Sequence, residues 1–266
     1  MSNFWILLLF AVGSYMFGNI NWALIISKLK KTDIRKLGSG NPGTLNMSRN
    51  LGLKIGLLTF FLDIMKGAIP TLVVFLVTYG RVFTGADFLV ADFAVFLCGL
   101  CAVLGHIYPV VLKFKGGKGI ASTIGVFLVC TSVYGWMWAV ITIMALVAAA
   151  VFIYFTEFGA MGSFIAITPP AVGSCIRLFL TYSTIMNPTC VTFHVITNMF
   201  ILLICLFTWF AHRRNIERML AGEEHPTSIK EMVIKARLKK EQAKNEQLEK
   251  QKALKNITDT SDKTNA

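Results

Sequence analysis

Acidic residues are scarce in this chain: 14 Asp and Glu stand against 26 Lys and Arg, and charged residues of both signs make up only 15% of 266. So little charge, beside 55% hydrophobic residues and a mean hydropathy of +0.63, excludes an ordinary soluble domain and describes a membrane protein. No basic segment precedes the first apolar run, because the chain opens Met1-Ser2-Asn3-Phe4. A cleavable secretory signal is therefore not expected, and that run should persist as a span. The basic loops lack a pair of carboxylates and any His-x3-His, so they give no support to metal catalysis. Neither Ser39 nor Ser122 lies in Gly-x-Ser-x-Gly. Gly116-Gly117-Lys118-Gly119 lacks both the earlier glycine and the following Ser or Thr of a nucleotide-binding loop, so nucleotide hydrolysis is unsupported. Six cysteines lie mostly in apolar stretches; Cys98-x2-Cys101 has no second ligand pair, and buried small hydrophobes are the expected role.

The apolar runs divide the chain into about seven spans. They cover approximately Phe4–Ile26, Ile55–Val77, Phe88–Leu104, two helices within Ile120–Phe155, Ser163–Leu180 and Thr192–Phe210. Ile120–Phe155 is too long for one crossing at 1.5 Å per residue, and Tyr134-Gly135-Trp136 with Trp138 marks a hairpin tip. Pro169-Pro170 should kink or weaken the sixth span. Asp63 and Lys66 share a helix face and are expected to pair with each other. Arg177 is expected to snorkel outward.

A net charge of +12 raises the question of nucleic acid, but its placement answers otherwise. The Lys28–Gly52 loop carries six Lys and Arg, the His106–Gly119 loop three and the tail from Ala211 thirteen, whereas the opposite connections carry only Arg81. The positive-inside rule then puts the amino terminus outside and the three basic regions, with the carboxyl terminus, in the cytoplasm. The fold class expected is an all-α membrane protein. Its membrane domain would cover residues 1–226 and a basic polar cytoplasmic tail residues 227–266, partly helical and disordered over its last ten or so residues. In that tail Ser228-x-x-Glu231 is a capping box, and Glu231–Lys235 and Glu246–Lys250 are i,i+4 pairs.

The three basic regions carry the chemistry. Ile34 to Asn50 holds Gly38, Gly40 and Gly43 among Ser39, Asn41, Thr44 and Asn46, with Arg35, Lys36 and Arg49 around them. Glycines let the backbone turn sharply and approach a ligand, and successive amides with guanidinium forks suit a phosphate. A basic connection that only sets topology would also carry these charges. Gly116-Gly117-Lys118-Gly119 opens a helix, so its amides and the dipole favour a phosphate near Lys118. The third region clusters His212, Arg213, Arg214, Asn215 and Arg218. Phosphate binding with no evident covalent catalyst suits direct transfer by positioning and charge neutralisation.

These segments resemble the PlsY-type glycerol-3-phosphate acyltransferases, bacterial integral membrane enzymes. The matches run from Asp33-Ile34-Arg35 through Gly38-Ser39-Gly40-Asn41 to Asn46 and Arg49, with Asp63-x2-Lys66-Gly67 following. Gly105-His106-x2-Pro109 with Phe114-Lys115-Gly116-Gly117-Lys118-Gly119 is the second set. His212-x2-Asn215-Ile216-x-Arg218 with Gly222-x-Glu224 is the third. The resemblance implies acyl transfer from an acyl-phosphate to the 1-hydroxyl of sn-glycerol 3-phosphate, giving lysophosphatidic acid and phosphate, the first step of phospholipid synthesis. It implies the bacterial cell membrane as location, no cofactor or metal, no direct use of coenzyme A or acyl carrier protein, and a partner enzyme that makes the acyl-phosphate. Ser39, Arg49, Lys118, His212 and Asn215 would be the catalytic set. Arg35, Gly38, Gly40, Asn41, Gly43, Asn46, His106, Gly116, Gly117 and Gly119 would bind or orient the substrates.

The chain departs from the family pattern at Asn19, at Thr44 and Leu45, at Ala160 (with Ser163 nearby) and at Ala211. Leu45 and Ala160 remove hydroxyls that would contact phosphate, so rate or substrate choice is open to change. An inactive or repurposed paralogue, a small anion or lipid transporter and a non-catalytic scaffold are the competing readings. A transporter should place its polar site near the midplane, often with inverted repeats, and the polar clusters here lie in loops on one face.

Overall fold

The structure, a computed structural model, describes residues 3–223 without a break and, further on, helical positions 230–231, 233–234, 237–238, 241–242 and 245–247. The chain divides into two compact units, Met1–Thr227 and Ser228–Ala266. The capping box at Ser228, the pairs ending at Lys235 and Lys250, Glu224 and the expected disorder of the last residues lie outside the described residues. The second unit is polar and helical where described; the first holds the spans and the three basic regions.

In the first unit the order is α1 (Asn3–Gly18), α2 (Trp22–Leu29), α3 (Thr44–Leu51), α4 (Leu53–Thr78), α5 (Val90–Ile107), α6 (Ile120–Ser132), α7 (Trp136–Thr156), α8 (Gly159–Tyr182), α9 (Pro188–Phe210) and α10 (Arg213–Leu220). Six segments among the described residues are long and apolar enough to cross a membrane: Asn3–Leu29, Leu53–Thr78, Val90–Leu112, Trp136–Thr156, Gly159–Tyr182 and Pro188–Phe210. The remaining expected span, the fourth in chain order, is α6, an apolar helix of 13 residues. At about 20 Å it is shorter than a bilayer core of about 30 Å. It is bounded by Gly119 in a left-handed conformation at one end and the Tyr134-Gly135 turn at the other.

One expectation about the spans changes. The first span is not one continuous helix: it breaks at Asn19–Asn21, where the Asn21 side chain accepts from the Leu24 amide at 3.0 Å and caps α2. In the sixth, α8 runs through Pro169-Pro170 without interruption. The Pro170 carbonyl accepts the Ser174 hydroxyl at 2.8 Å.

The helices approach closely where they carry small residues. An added Cβ on Gly67 would lie 1.9 Å from the Ser122 carbonyl, and one on Gly125 would lie 2.0 Å from that of Ile64, so α4 and α6 pack backbone to backbone. Hydroxyl pairs link further neighbours, Thr123 with Thr208 at 3.2 Å and Thr131 with Thr142 at 2.9 Å. Large apolar side chains such as Leu9, Leu76, Phe155 and Leu180 face outward, as lipid contact requires.

Arg177 does not snorkel. It is 8% exposed, and its guanidinium donates to Asp92 at 2.6 Å while lying 3.7 Å over the Tyr134 ring. Tyr182 donates to the other Asp92 oxygen at 2.5 Å. A fully buried carboxylate in the first turn of α5 is a stronger attraction than distant headgroups.

Candidate functional site

The first basic loop is shaped by one side chain. Asn46, buried on α3, donates to the carbonyls of Ile34 at 3.2 Å and Leu37 at 3.0 Å, and accepts from the Ser39 amide at 3.2 Å and Asn50 at 2.9 Å. Its hydrogen-bonding capacity goes to the protein, so it holds the loop's curvature. Gly38 has φ +54°, and a Cβ there would stand 2.5 Å from Asn46 Oδ1. Ser39 and Arg49 lie at the surface, Asn41 is half-buried, and Gly40 and Gly43 complete the bend. Arg35 is engaged locally: its fork closes on Asp33 at 3.0 and 2.8 Å. The Arg35 guanidinium, and after it the Arg35 backbone amide, hold the Asp33 carboxyl down at about 2.

The second loop folds back on the end of α5. The Gly116 amide donates to the Ile107 carbonyl and the Gly117 amide to that of His106, each at 3.1 Å. Those two amides therefore serve the loop itself, which differs from the sequence reading in which they face an anion. The helix end left four carbonyls to satisfy, and these glycines supply two of the donors. A Cβ on Gly117 would lie 2.3 Å from His106 Nε2, so the imidazole sits directly against this residue. Lys118 follows, and its ammonium donates to the Asn215 side-chain oxygen on α10, while Gly119 takes the left-handed turn into α6.

The third region completes the contact. His212 is buried between α9 and α10, with Nδ1 2.8 Å from the Thr208 carbonyl. A carbonyl only accepts, so Nδ1 carries the proton and Nε2 is left as an acceptor. Burial, then the Lys118 ammonium, push His212 down to about 4, against the opposing pull of the Thr208 bond. The imidazole is therefore neutral near pH 7.

Thus the structure brings Lys118, Asn215 and His212 together, and joins the first region to the second through a small core in which Leu112 packs with Ile34, Met47, Ala23 and Leu24. It also reveals a partner for the Asp63–Lys66 pair. Lys66 Nζ lies 2.8 Å from Asp63, 2.8 Å from the Ile20 carbonyl and 2.7 Å from His106 Nδ1. The i,i+3 spacing announced the ion pair; the carbonyl came from the break between α1 and α2, which an apolar run gave no means to foresee. Among the departures, Asn19 accepts the Val111 amide at 3.4 Å, Leu45 is exposed, Ala160 is buried, and Ser163 bonds back to the Gly159 carbonyl at 2.8 Å.

The fold defines the class: an all-helical protein, among the described residues, with six segments long and apolar enough to cross a membrane. The family model described as glycerol-3-phosphate acyltransferase matches residues 8–222. The glycerol-3-phosphate acyltransferase of Mycoplasmopsis pulmonis is 35% identical over 218 residues, covering 82% of this chain and 91% of that protein. That of Aquifex aeolicus is 34% identical over 219 residues, covering 82% and 97%. The crystal structure of PlsY (YgiH), an integral membrane glycerol 3-phosphate acyltransferase, superposes with a TM-score of 0.64 at 30% identity in its glycerol 3-phosphate form, covering 85% of this chain and 98% of that one. The same protein in its lysophosphatidic acid form gives 0.63. The chain belongs to the glycerol-3-phosphate acyltransferase family and is an acyltransferase.

Proposed function

We propose that this enzyme transfers a fatty acyl group from an acyl-phosphate to the 1-hydroxyl of sn-glycerol 3-phosphate, releasing lysophosphatidic acid and inorganic phosphate. The observation that carries the reading is the junction of Lys118 with Asn215 beside a neutral His212. It sets an ammonium, an amide and an imidazole acceptor at one place, with no hydroxyl or thiol among the three. Names of relatives support the acceptor, and the forms in which PlsY was solved, with glycerol 3-phosphate and with lysophosphatidic acid, support acceptor and product.

In this reading the glycerol oxygen attacks the acyl carbon, the carbon–oxygen bond to phosphate breaks, and phosphate leaves with the bonding pair. The hydroxyl proton passes to a substrate phosphate oxygen, since a phosphomonoester's second pKa is about 6. Lys118, Arg49 and Ser39 hold phosphate oxygens, and Lys118 and Arg49 offset the charge that develops on the leaving group. His212 accepts through Nε2 and, with Asn215 and Asn41, orients the hydroxyl. Asn46 acts through the loop it shapes, and Gly116 and Gly117 act through the fold of theirs. The basic regions lie in the cytoplasm by their charge excess, the enzyme resides in the bacterial cell membrane, and a separate enzyme supplies the acyl-phosphate.

Purified protein given palmitoyl-phosphate and glycerol 3-phosphate should form lysophosphatidic acid and phosphate in equal amounts. Product from palmitoyl-coenzyme A in place of palmitoyl-phosphate would overturn the donor. No product from either would overturn the reaction.

A further inference from the structure

Lys66 is 1% exposed and lies on α4, yet it is ringed by acceptors from three segments: Asp63 on its own helix, the Ile20 carbonyl at the break between α1 and α2, and Nδ1 of His106 at the end of α5. An ammonium has three hydrogens and no acceptor. His106 Nδ1 therefore accepts, and the imidazole proton stands on Nε2. That nitrogen is the one lying over Gly117, the residue before Lys118, where no side chain intervenes. The His106 carbonyl meanwhile receives the Gly117 amide, so ring and loop are fixed to each other from both sides.

We propose that Lys66 is a positioning residue for the transfer site: it fixes His106 in the Nε2–H form and thereby presents a hydrogen-bond donor across Gly117 to a phosphate oxygen of the substrate. This rests on the phosphate-binding reading of the Lys118 loop. The arrangement mirrors His212, whose proton is fixed on Nδ1 by the Thr208 carbonyl. One imidazole donates toward the substrates and the other accepts.

The test begins with nitrogen NMR of protein labelled at its four histidines, assigned with His106→Gln. Without substrate, His106 should show a protonated Nε2 and His212 a protonated Nδ1. Replacing the buried pair by apolar residues of similar size, in Asp63→Leu with Lys66→Met, removes the ammonium without stranding a charge. His106 should then lose its fixed proton position. KM for glycerol 3-phosphate should rise about tenfold with kcat little changed, the pattern of lost binding common to ground and transition states. Should that variant not fold, His106→Leu should raise KM about tenfold, and His106→Gln, which keeps a donor near Nε2, should recover most of the loss.

A proton on Nδ1 of His106 in the wild type would overturn the proposal. So would an unchanged KM in the folded pair variant, or equal defects in His106→Gln and His106→Leu. The tautomer is read without turnover, so it stands or falls apart from the acyl-transfer reading, which Lys118→Ala tests.

Discussion

Helix α5 begins beside one buried ion pair and ends beside another, and the two are built to different purposes. Asp92 in its first turn meets Arg177 and the Tyr182 hydroxyl, so both carboxylate oxygens are engaged, and the aromatic face of Tyr134 covers the guanidinium. About 21 Å along the helix, His106 meets Lys66, whose own carboxylate is Asp63. There the charge does not end in its counterion: it reaches an imidazole whose far nitrogen faces the Gly117 step. A closed pair fastens helices; a pair that borrows a histidine also sets what a neighbouring loop can bind. Exposure does not separate the two, since both are buried.

Breaking the closed pair should produce the largest effect. Arg177→Met leaves Asp92 charged and unpartnered, and should lower stability by about 3–5 kcal/mol, measured by unfolding in detergent. The fraction that folds should keep its KM for glycerol 3-phosphate. Adding Asp92→Leu should restore most of the stability, because replacing both partners removes the stranded charge. A raised KM in folded Arg177→Met would dissolve the distinction between the two ends.

At the other end, Lys118→Ala should reduce kcat/KM by roughly a hundredfold to a thousandfold, the scale of removing one donor aimed at developing charge. Unfolding should change little. Near-normal kcat/KM would remove Lys118 from the reaction.

The smallest effect sharpens the contrast through pH. His212 titrates at about 4 when folded, against about 6.5 when unfolded. The sign follows from a lowered folded value: the contribution is complete above about 6.5 and disappears as pH falls through about 4. Between pH 7 and pH 5 the wild type should therefore lose about 2 kcal/mol more stability than His212→Asn. The comparison is read as the difference in unfolding midpoints at the two pH values; equal losses would mean that His212 is not held neutral.

Much of this was legible in the residues, and the parts that were not share a cause. Apolar runs and the Tyr134-Gly135-Trp136 tip located the spans, because lipid demands apolar length regardless of tertiary detail. Spacing paired Asp63 with Lys66 for the same local reason. The structure departs from the sequence where one polar group has several partners to choose among, near or distant. Arg177 was expected to reach outward and instead met Asp92, 85 residues away. Arg35 was expected to face phosphate and closed on Asp33, and Asn46 turned inward to hold the loop. The sequence around Gly116 and Gly117 points to amides that face an anion, whereas the geometry commits those amides to the end of α5 and uses the missing side chains beside His106 and under its carbonyl. Such choices depend on which groups the packed helices leave without a partner, and composition does not carry that information.

The proposed transfer requires two phosphorylated molecules to be gripped at once by segments far apart in the chain. It is tested most directly by calorimetric titration of glycerol 3-phosphate into protein saturated with an unreactive acyl phosphonate. Glycerol 3-phosphate should still bind, forming a ternary complex that Lys118→Ala weakens. Mutual displacement of the two ligands would contradict it.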